Sequence, residues 1–206
     1  MMKSVQVVHI VDDDEAVSDS LQLFLQAAGL NTVTYSSAQD FLDAYRHEHA
    51  GCLLLDIHMP DMSGLHLQQE LLAVGSTLPI IFVTGHASVS TAVQALKAGA
   101  FDFIEKPFDN LQLLGMVNRA LEQDRQNRAL LVQQTAVQER LQALTPRETE
   151  VLDYLLNGKA TKVIALELEL SHRTVEIYRA NVMQKMQSRS IAHLVKMVSG
   201  FHVNPH

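Results

Sequence analysis

Through about the first 120 residues, short apolar runs alternate with amphipathic stretches: VQVVHIV, EAVSDSLQLFLQAAG, NTVTY, SAQDFLDAYR, CLLLD, GLHLQQELLAV, PIIFVTG, SVSTAVQALKAGA, FDFIEKP and NLQLLGMVNRALEQ. A short apolar run bounded by turn residues reads as a strand buried on both faces, whereas apolar positions three and four apart read as a helix with one buried side. Five strand-helix pairs result. Parallel strands need crossover connections, so this alternation predicts an α/β domain, a doubly wound five-stranded parallel sheet with helices on both faces. Gly29, Gly75 and Gly99 stand where helices should stop, and Ser37 with Asp40 makes an N-terminal cap.

Between Gly115 and Pro146 there is no Gly or Pro, and the residues are mainly Gln, Arg, Leu and Ala. The last helix of the first domain is therefore expected to continue as a linker. Leu121, Leu130, Leu131, Val137, Leu141 and Leu144 do not hold a clean heptad, which favours a solvated, semi-rigid helix over a coiled coil. From Leu144 the pattern is short and helical throughout: LTPRETEVLDYLLNG, TKVIALELEL, SHRTVEIYRANVMQKM and SIAHLVKMVSG. Thr145 with Glu148 forms a capping box, and Pro146 takes the first helical position, where its missing N–H costs nothing. The expected organisation is an α/β domain over 1–122, a helical linker over 123–143 and a smaller all-α domain over 144–206.

A chain of 206 residues suits two such domains. Its net charge of -7 is uneven: 5 Lys and Arg stand against 15 Asp and Glu up to Glu122, and 11 against 8 from Gln123 onward. An acidic half precedes a mildly basic one, so any anionic partner belongs to the second. The single cysteine, Cys52, excludes a disulfide framework and reads as core packing in a reducing compartment. No apolar stretch approaches a membrane span, and MMKSVQVVHIVDDD turns acidic where a signal peptide needs its apolar region. A cytoplasmic protein without a membrane partner is expected.

In CLLLDIHMPDMSG a buried run ends on a charge, and an ionised Asp there loses hydration unless it has a partner or a task. In open parallel sheets, ligands bind outside the carboxyl ends of the strands. The first predicted strand ends in Asp12-Asp13-Asp14, the third in Asp56, the fourth in Thr84, and the fifth in Lys106 followed by Pro107. Singly, such residues are ordinary: an Asp caps the next helix, a Lys is a solvated charge, a Thr ends a strand. Gathered at one end of successive strands, they match the parts of phosphoryl transfer to a carboxylate. Clustered acids repel unless a cation sits among them, and Mg²⁺ prefers a few carboxylates, a carbonyl oxygen and water.

The motifs VDDD, LLLDIHMPDMSG, VTG and FDFIEKPF, in this order, resemble the response-regulator receiver family, a flavodoxin-like fold, over about the first 120 residues. The resemblance implies that Asp56 accepts a phosphoryl group from a cognate sensor histidine kinase. It implies Mg²⁺ held by Asp13 and Asp56 with the backbone carbonyl of His58, Asp12 acting through water, Lys106 contacting the phosphoryl group, and Thr84 coupled to the switch residue Phe103. The His58 imidazole as metal ligand or relay lacks a second His or Cys at ligand spacing. His86 reads either as a solvated loop residue or as a modulator of dephosphorylation. GHASVSTAV carries Ala87, Ser88, Ser90 and Thr91 where close relatives often have Gly, Asp, Pro and Met.

The second domain holds a helix-turn-helix pattern, with Thr161 to Leu168 as support, a turn through Glu169 to Ser171, and a helix from His172 to about Met186 capped by Ser171. Val175, Val182 and Met186 share an inward face, while Arg173, Glu176, Ile177, Arg179, Ala180 and Lys185 lie toward the other. An apolar residue and a carboxylate among cations fit base-edge reading flanked by phosphate contacts; a solvated helix of a protein-binding bundle is the alternative. LTPRETEVLDYLLNGKATKVIA followed by SHRTVEIYRANVMQKM resembles the LuxR-type DNA-binding domain, as joined to receivers in FixJ-like and NarL-like regulators, over roughly residues 140 to 200. The resemblance adds Lys162, Thr174 and Tyr178 to the DNA-facing set. Thr161 stands where Asn is usual, and Tyr178 replaces a frequent His.

These features imply a two-component regulator that dimerises on phosphorylation and binds promoter DNA, with RNA polymerase as a further candidate partner. Ala95, Leu96, Ala98 and Phe101 are candidates for the dimer face. A Mg²⁺-dependent phosphohydrolase is the enzymatic rival. Haloacid-dehalogenase-type hydrolases place a second Asp two residues after the nucleophile, where His58 stands here, and that reading leaves the second domain unexplained. A phosphorylation-independent adaptor binding protein through its C-terminal helices is the other rival.

Overall fold

The five apolar runs form one sheet. The computed structural model describes residues 5–85 and 89–202, and in it β1 (Val7–Val11), β2 (Asn31–Tyr35), β3 (Gly51–Leu55), β4 (Ile80–Thr84) and β5 (Asp102–Glu105) lie in the order β2-β1-β3-β4-β5. Every neighbouring pair is parallel. The strand order reverses at β1, so a crevice forms beyond the carboxyl ends of β1 and β3. Val11 lies opposite Leu55, which brings the residues that follow them, Asp12 and Asp56, to the same level.

Strand side chains alternate between two cores, as the pleat requires. Val8, Ile10, Cys52, Leu54, Ile81 and Val83 pack with Leu21 and Leu25 of α1 (Glu15–Ala27) and Leu113 and Val117 of α5 (Asn110–Gln142). Val11, Leu53, Leu55, Ile80 and Phe82 pack on the other side with Phe41 of α2 (Ala38–Ala44), Leu67 and Leu71 of α3 (Gly64–Ala73) and Ala95 of α4 (Val89–Lys97). Asp14 caps α1 by accepting from the amides of Ala16 and Val17, and Ser37 caps α2 by accepting from Asp40 N. Ser63 caps α3, whose first residue must be glycine: a Cβ on Gly64 would lie 2.1 Å from the carbonyl oxygen of Asp56. That close approach sets α3 directly against the loop that carries Asp56.

The chain divides into two compact units, Met1–Arg128 and Ala129–His206. The expected linker begins at 123, yet Asp124 is fully buried in the first unit. Its carboxylate accepts from Gly51 N at 2.9 Å, from Gln6 Nε2 at 3.2 Å and from Arg128 Nε at 2.9 Å. Those bonds tie the middle of the 33-residue helix α5 to the amino-terminal edge of β3, so the helix is not a solvated spacer over this stretch.

The second unit contains α6 (Pro146–Leu156), α7 (Thr161–Glu167), α8 (His172–Lys185) and α9 (Ile191–His202). They enclose Val151, Leu152, Leu155, Ile164, Val175, Val182, Met186, Leu194 and Val198, together with Val137 from the end of α5. The capping box is formed: Thr145 N donates to Glu148 Oε2 at 2.8 Å, and Glu148 N to Thr145 Oγ1 at 3.4 Å. The turn between α7 and α8 places Glu169 at φ 56, with Leu170 N donating to Ala165 O, so α7 ends abruptly and α8 can leave in a new direction. Among the described residues, no helix is long and apolar enough to cross a membrane.

Candidate functional site

Asp12, Asp56, Thr84 and Lys106, expected at the crevice, each follow or end a strand of the sheet. Asp12 follows β1, Asp56 follows β3, Thr84 is the last residue of β4, and Lys106 follows β5. Asp12 is 4% exposed, Asp56 7% and Thr84 0%. The Lys106 ammonium bridges the acids, 2.7 Å from Asp12 Oδ2 and 3.4 Å from Asp56 Oδ1. Asp56 Oδ2 accepts from the His58 amide at 2.6 Å, and Asp12 Oδ1 accepts from the Asp14 amide at 3.0 Å. Each carboxylate is thus held by one backbone donor and shares one cation.

Burial pushes the Asp56 carboxyl above its usual range, and the neighbouring Asp12 charge adds to it; the His58 amide and the Lys106 ammonium oppose the shift. A carboxylate short of water and only partly compensated is more reactive toward an electrophile than a solvated one. The oxygen donors of Asp12 and Asp56 have the chemistry of a site for a hard divalent cation. Lys106 already supplies one counter-charge, so clustering of the acids does not by itself demand a metal. Asp13 is exposed and stands outside this network, and among the described residues no three His, Cys, Asp or Glu side chains gather closely enough to hold an ion.

His58 contributes more than its backbone. Its Nδ1 lies 3.4 Å from Thr84 Oγ1, so the side chain two residues beyond Asp56 touches the hydroxyl at the end of β4. Only its position two residues after Asp56 hinted at this contact, since nothing local marks which strand end it meets. Phe103 pairs with Phe82 across β4 and β5 and is half-buried against the second core. His86, Ala87 and Ser88 lie outside the described residues. Of the expected dimer-face residues, Ala95 must be withdrawn: it is 0% exposed, and its carbonyl accepts from Gln68 Nε2. Leu96, at 46%, and Val93, at 42%, are the large apolar side chains exposed on α4 among the described residues.

In the second unit Ser171 Oγ accepts from Thr174 N at 3.0 Å and starts α8, which buries Val175, Val182 and Met186. Arg173, Glu176, Ile177 and Ala180 are exposed together on its outer side, and Lys162 is exposed on α7. Thr174 and Tyr178 are half-buried. The expected cationic face is thinner than its sequence. Arg179 Nη1 donates to Thr161 Oγ1 at 3.2 Å. Lys185 departs furthest from its expected phosphate role, because its ammonium lies 2.6 Å from Glu148 Oε2 and 3.1 Å from Ala143 O. Its first partner is a buried carboxylate. That ammonium, with the Thr145 amide, holds the Glu148 carboxyl below its usual range.

The sheet with its acidic crevice and the helix-turn-helix unit define a class: a receiver joined to a DNA-binding domain. The chain matches the family model of the response regulator receiver domain over residues 8–118 and that of the bacterial regulatory proteins of the luxR family over residues 142–198, and it belongs to the response regulators that combine the two. It is 45% identical over 194 residues to the transcriptional regulatory protein FixJ of Azorhizobium caulinodans, across 92% of this chain and 90% of that one. It is 41% identical over 197 residues to the response regulator protein TodT of Pseudomonas putida, across 96% and 87%. Of solved structures, the response regulator StyR superposes with a TM-score of 0.87 at 38% identity, over 95% of this chain and 99% of that chain. Full-length FixJ from B. japonicum gives 0.59 at 37% identity, over 98% and 100%. The protein is a transcriptional response regulator of the two-component class.

Proposed function

We propose that Asp56 accepts a phosphoryl group from a sensor histidine kinase, and that the phosphorylated protein dimerises and regulates transcription from promoter DNA. The observation that carries this reading is the buried Asp56 carboxylate at the end of β3, held by the His58 amide with Lys106 against its other oxygen. A carboxylate oxygen of Asp56 bonds to phosphorus as the bond from phosphorus to the donor imidazole nitrogen breaks, and the imidazole leaves. Lys106 lies between Asp12 and Asp56, so a small shift brings its ammonium to a phosphoryl oxygen. Mg²⁺, when bound, neutralises charge on the phosphoryl oxygens. Asp56 and Asp13 with the His58 backbone carbonyl are the residues that would hold it, with Asp12 acting through water. Thr84 Oγ1 turns from His58 toward the phosphoryl group, and Phe103 moves inward into the space this opens. Beyond the switch, Arg173, Glu176, Ile177 and Ala180 of α8 read the major groove, with Lys162 and Arg179 near the phosphates.

Incubation of the full chain with a small-molecule phosphodonor and Mg²⁺ should add one acid-stable, base-labile phosphoryl group. Labelling should vanish in Asp56→Asn and on chelation. Undiminished labelling of Asp56→Asn would sink the assignment.

A further inference from the structure

A groove of about 490 Å³ lies within the second unit, between the carboxyl-terminal part of α5 and α9. Its apolar surface comes from Leu130 and Val137 of α5 and Met197 of α9; Leu130 is 57% exposed and Val137 only 9%. Arg140 of α5 and Lys196 of α9 line it as well. The other polar side chains there, two glutamine amides and the His193 imidazole, carry no negative charge. Arg140 is half-buried, and its guanidinium donates to the Met197 sulfur at 3.9 Å, which sets it across the groove from α5 to α9. A thioether is a weak acceptor, and among the described residues neither Arg140 nor Lys196 is paired with a carboxylate. The chain explains why. It has no Asp or Glu between Asp124 and Glu139 and none after Glu176, and Glu139 is exposed outside the groove lining. Both helical walls therefore bring cations to an apolar floor and no counter-charge.

We propose that this groove binds a small amphipathic carboxylate, its head held by Arg140 and Lys196 and its apolar body laid on Leu130, Val137 and Met197. A planar guanidinium matches a carboxylate through two parallel N–H···O bonds, and an ammonium adds a point charge beside it. Exposed ion pairs contribute little, so the class follows from the combination: Arg140 is partly withdrawn from solvent, and covering the apolar floor brings the head to it. A bare anion would leave that floor uncovered, and a neutral apolar molecule would leave the cations unused. The volume lies within the range of small-molecule sites, roughly 300–1,000 Å³. All the lining residues belong to the second unit, so the site does not rest on the phosphoacceptor reading of Asp56.

Octanoate, with octanol as its neutral counterpart and acetate as the head alone, tests the site by ligand-observed NMR titration of the unphosphorylated full-length protein. Octanoate should bind saturably and roughly fivefold to tenfold tighter than octanol, and acetate should not bind. Added salt should narrow that preference, because the head remains partly open to solvent. In the double variant Arg140→Gln/Lys196→Gln the ratio should fall to about one through loss of octanoate affinity, with octanol binding unchanged. Gly200 also lines the groove, and a Cβ there meets nothing within 4 Å, so Gly200→Trp should block octanoate while the thermal midpoint holds. Absent saturation, equal affinity of octanoate and octanol for the unsubstituted protein, or undiminished octanoate binding to either variant would each overturn the site. A parallel fall of both ligands in the double variant would overturn the part assigned to the anionic head. Loss of self-association in Gly200→Trp, with no octanoate bound by the parent, would assign the groove to a second copy of the chain instead.

Discussion

His58 is in contact with the hydroxyl that the proposed switch must release. With Nδ1 at 3.4 Å from Thr84 Oγ1, the imidazole favours the arrangement in which Thr84 faces away from Asp56. A ligand or modification moves a two-state equilibrium only through a difference in interaction between the states. Removing a contact made in one state alone moves it too. His58→Ala should therefore raise the dimerisation constant of the unphosphorylated protein by roughly two- to fivefold, the equivalent of about 0.5–1 kcal/mol for one hydrogen bond. Sedimentation of both proteins checks it, and identical dimer fractions would leave His58 only its backbone role. A second histidine acts on stability. His9 in β1 is 4% exposed, its ring lies 5.0 Å from that of His49, and burial first and His49 second lower its pKa from 6.5 to about 4. The folded state therefore prefers neutral His9, while the unfolded chain takes up a proton below 6.5. Stability is complete above pH 6.5 and falls as the pH drops toward about 4, by an amount on the order of 3 kcal/mol when that range is crossed. Urea midpoints across this range should show the slope, which should flatten in His9→Phe.

At the scale of elements, one side chain adds a polar anchor to the apolar packing of α5 against the sheet. Asp124 gathers an amide of β3, the side-chain amide of Gln6 and the Arg128 guanidinium within a site that excludes water. Asp124→Ala leaves the Gly51 amide and the Arg128 guanidinium without their acceptor, while Gln6 Nε2 keeps the Leu121 carbonyl at 2.7 Å, and should lower the stability of the first unit by about 2 kcal/mol in urea unfolding. Asp124→Asn keeps an acceptor for Gly51 and should cost less. Equal stability of Asp124→Ala and the parent would show that solvent satisfies these donors. Glycine matters nearby for the same reason of close approach: Gly51 has φ 138, and a Cβ there would lie 1.8 Å from the Val7 carbonyl oxygen.

For the whole molecule, the charges on α8 separate into two kinds. Arg173 and Glu176 are exposed, whereas Lys185 is engaged with Glu148. Two copies of α8 in a dimer should read half-sites about one helical turn apart. Neutralising Arg173 should weaken binding to all sequences and lower the salt slope by roughly one. Lys185→Met should leave that slope nearly unchanged and instead lower the unfolding midpoint of the second unit, since it strands a buried carboxylate. Glu176 is repelled by phosphates and is tolerable in the groove only where it accepts a specific hydrogen bond, most simply from a cytosine amine, worth about 1 to 3 kcal/mol. Glu176→Ala should relax sequence preference while non-specific affinity holds or rises. Competition binding to variants at each base pair distinguishes these outcomes, and an unaltered specificity profile would return Glu176 to the solvated surface.

The strands, their ends and the helix starts were legible in the chain because they depend on neighbours. Apolar periodicity places Asp12, Asp56, Thr84 and Lys106 at strand termini, and Thr145, Ser171 and Ser37 bond to amides three residues on. The parallel order of five strands then leaves few ways to arrange them. What the chain alone did not reveal were the partners of charges and polar groups across long separations. Lys185 reads as one of a row of surface cations until α6 brings Glu148 beneath it. Asp124 reads as a solvated linker acid until β3 presents the Gly51 amide. Ala95 reads as part of an open face until α3 places Gln68 against it. Periodicity says which side of an element is wet or dry; whether a charge there is free for a ligand is decided by what the tertiary fold sets within 3 Å or so of it, because hydrogen bonds and ion pairs are short-ranged and a buried group must be satisfied by whatever is there.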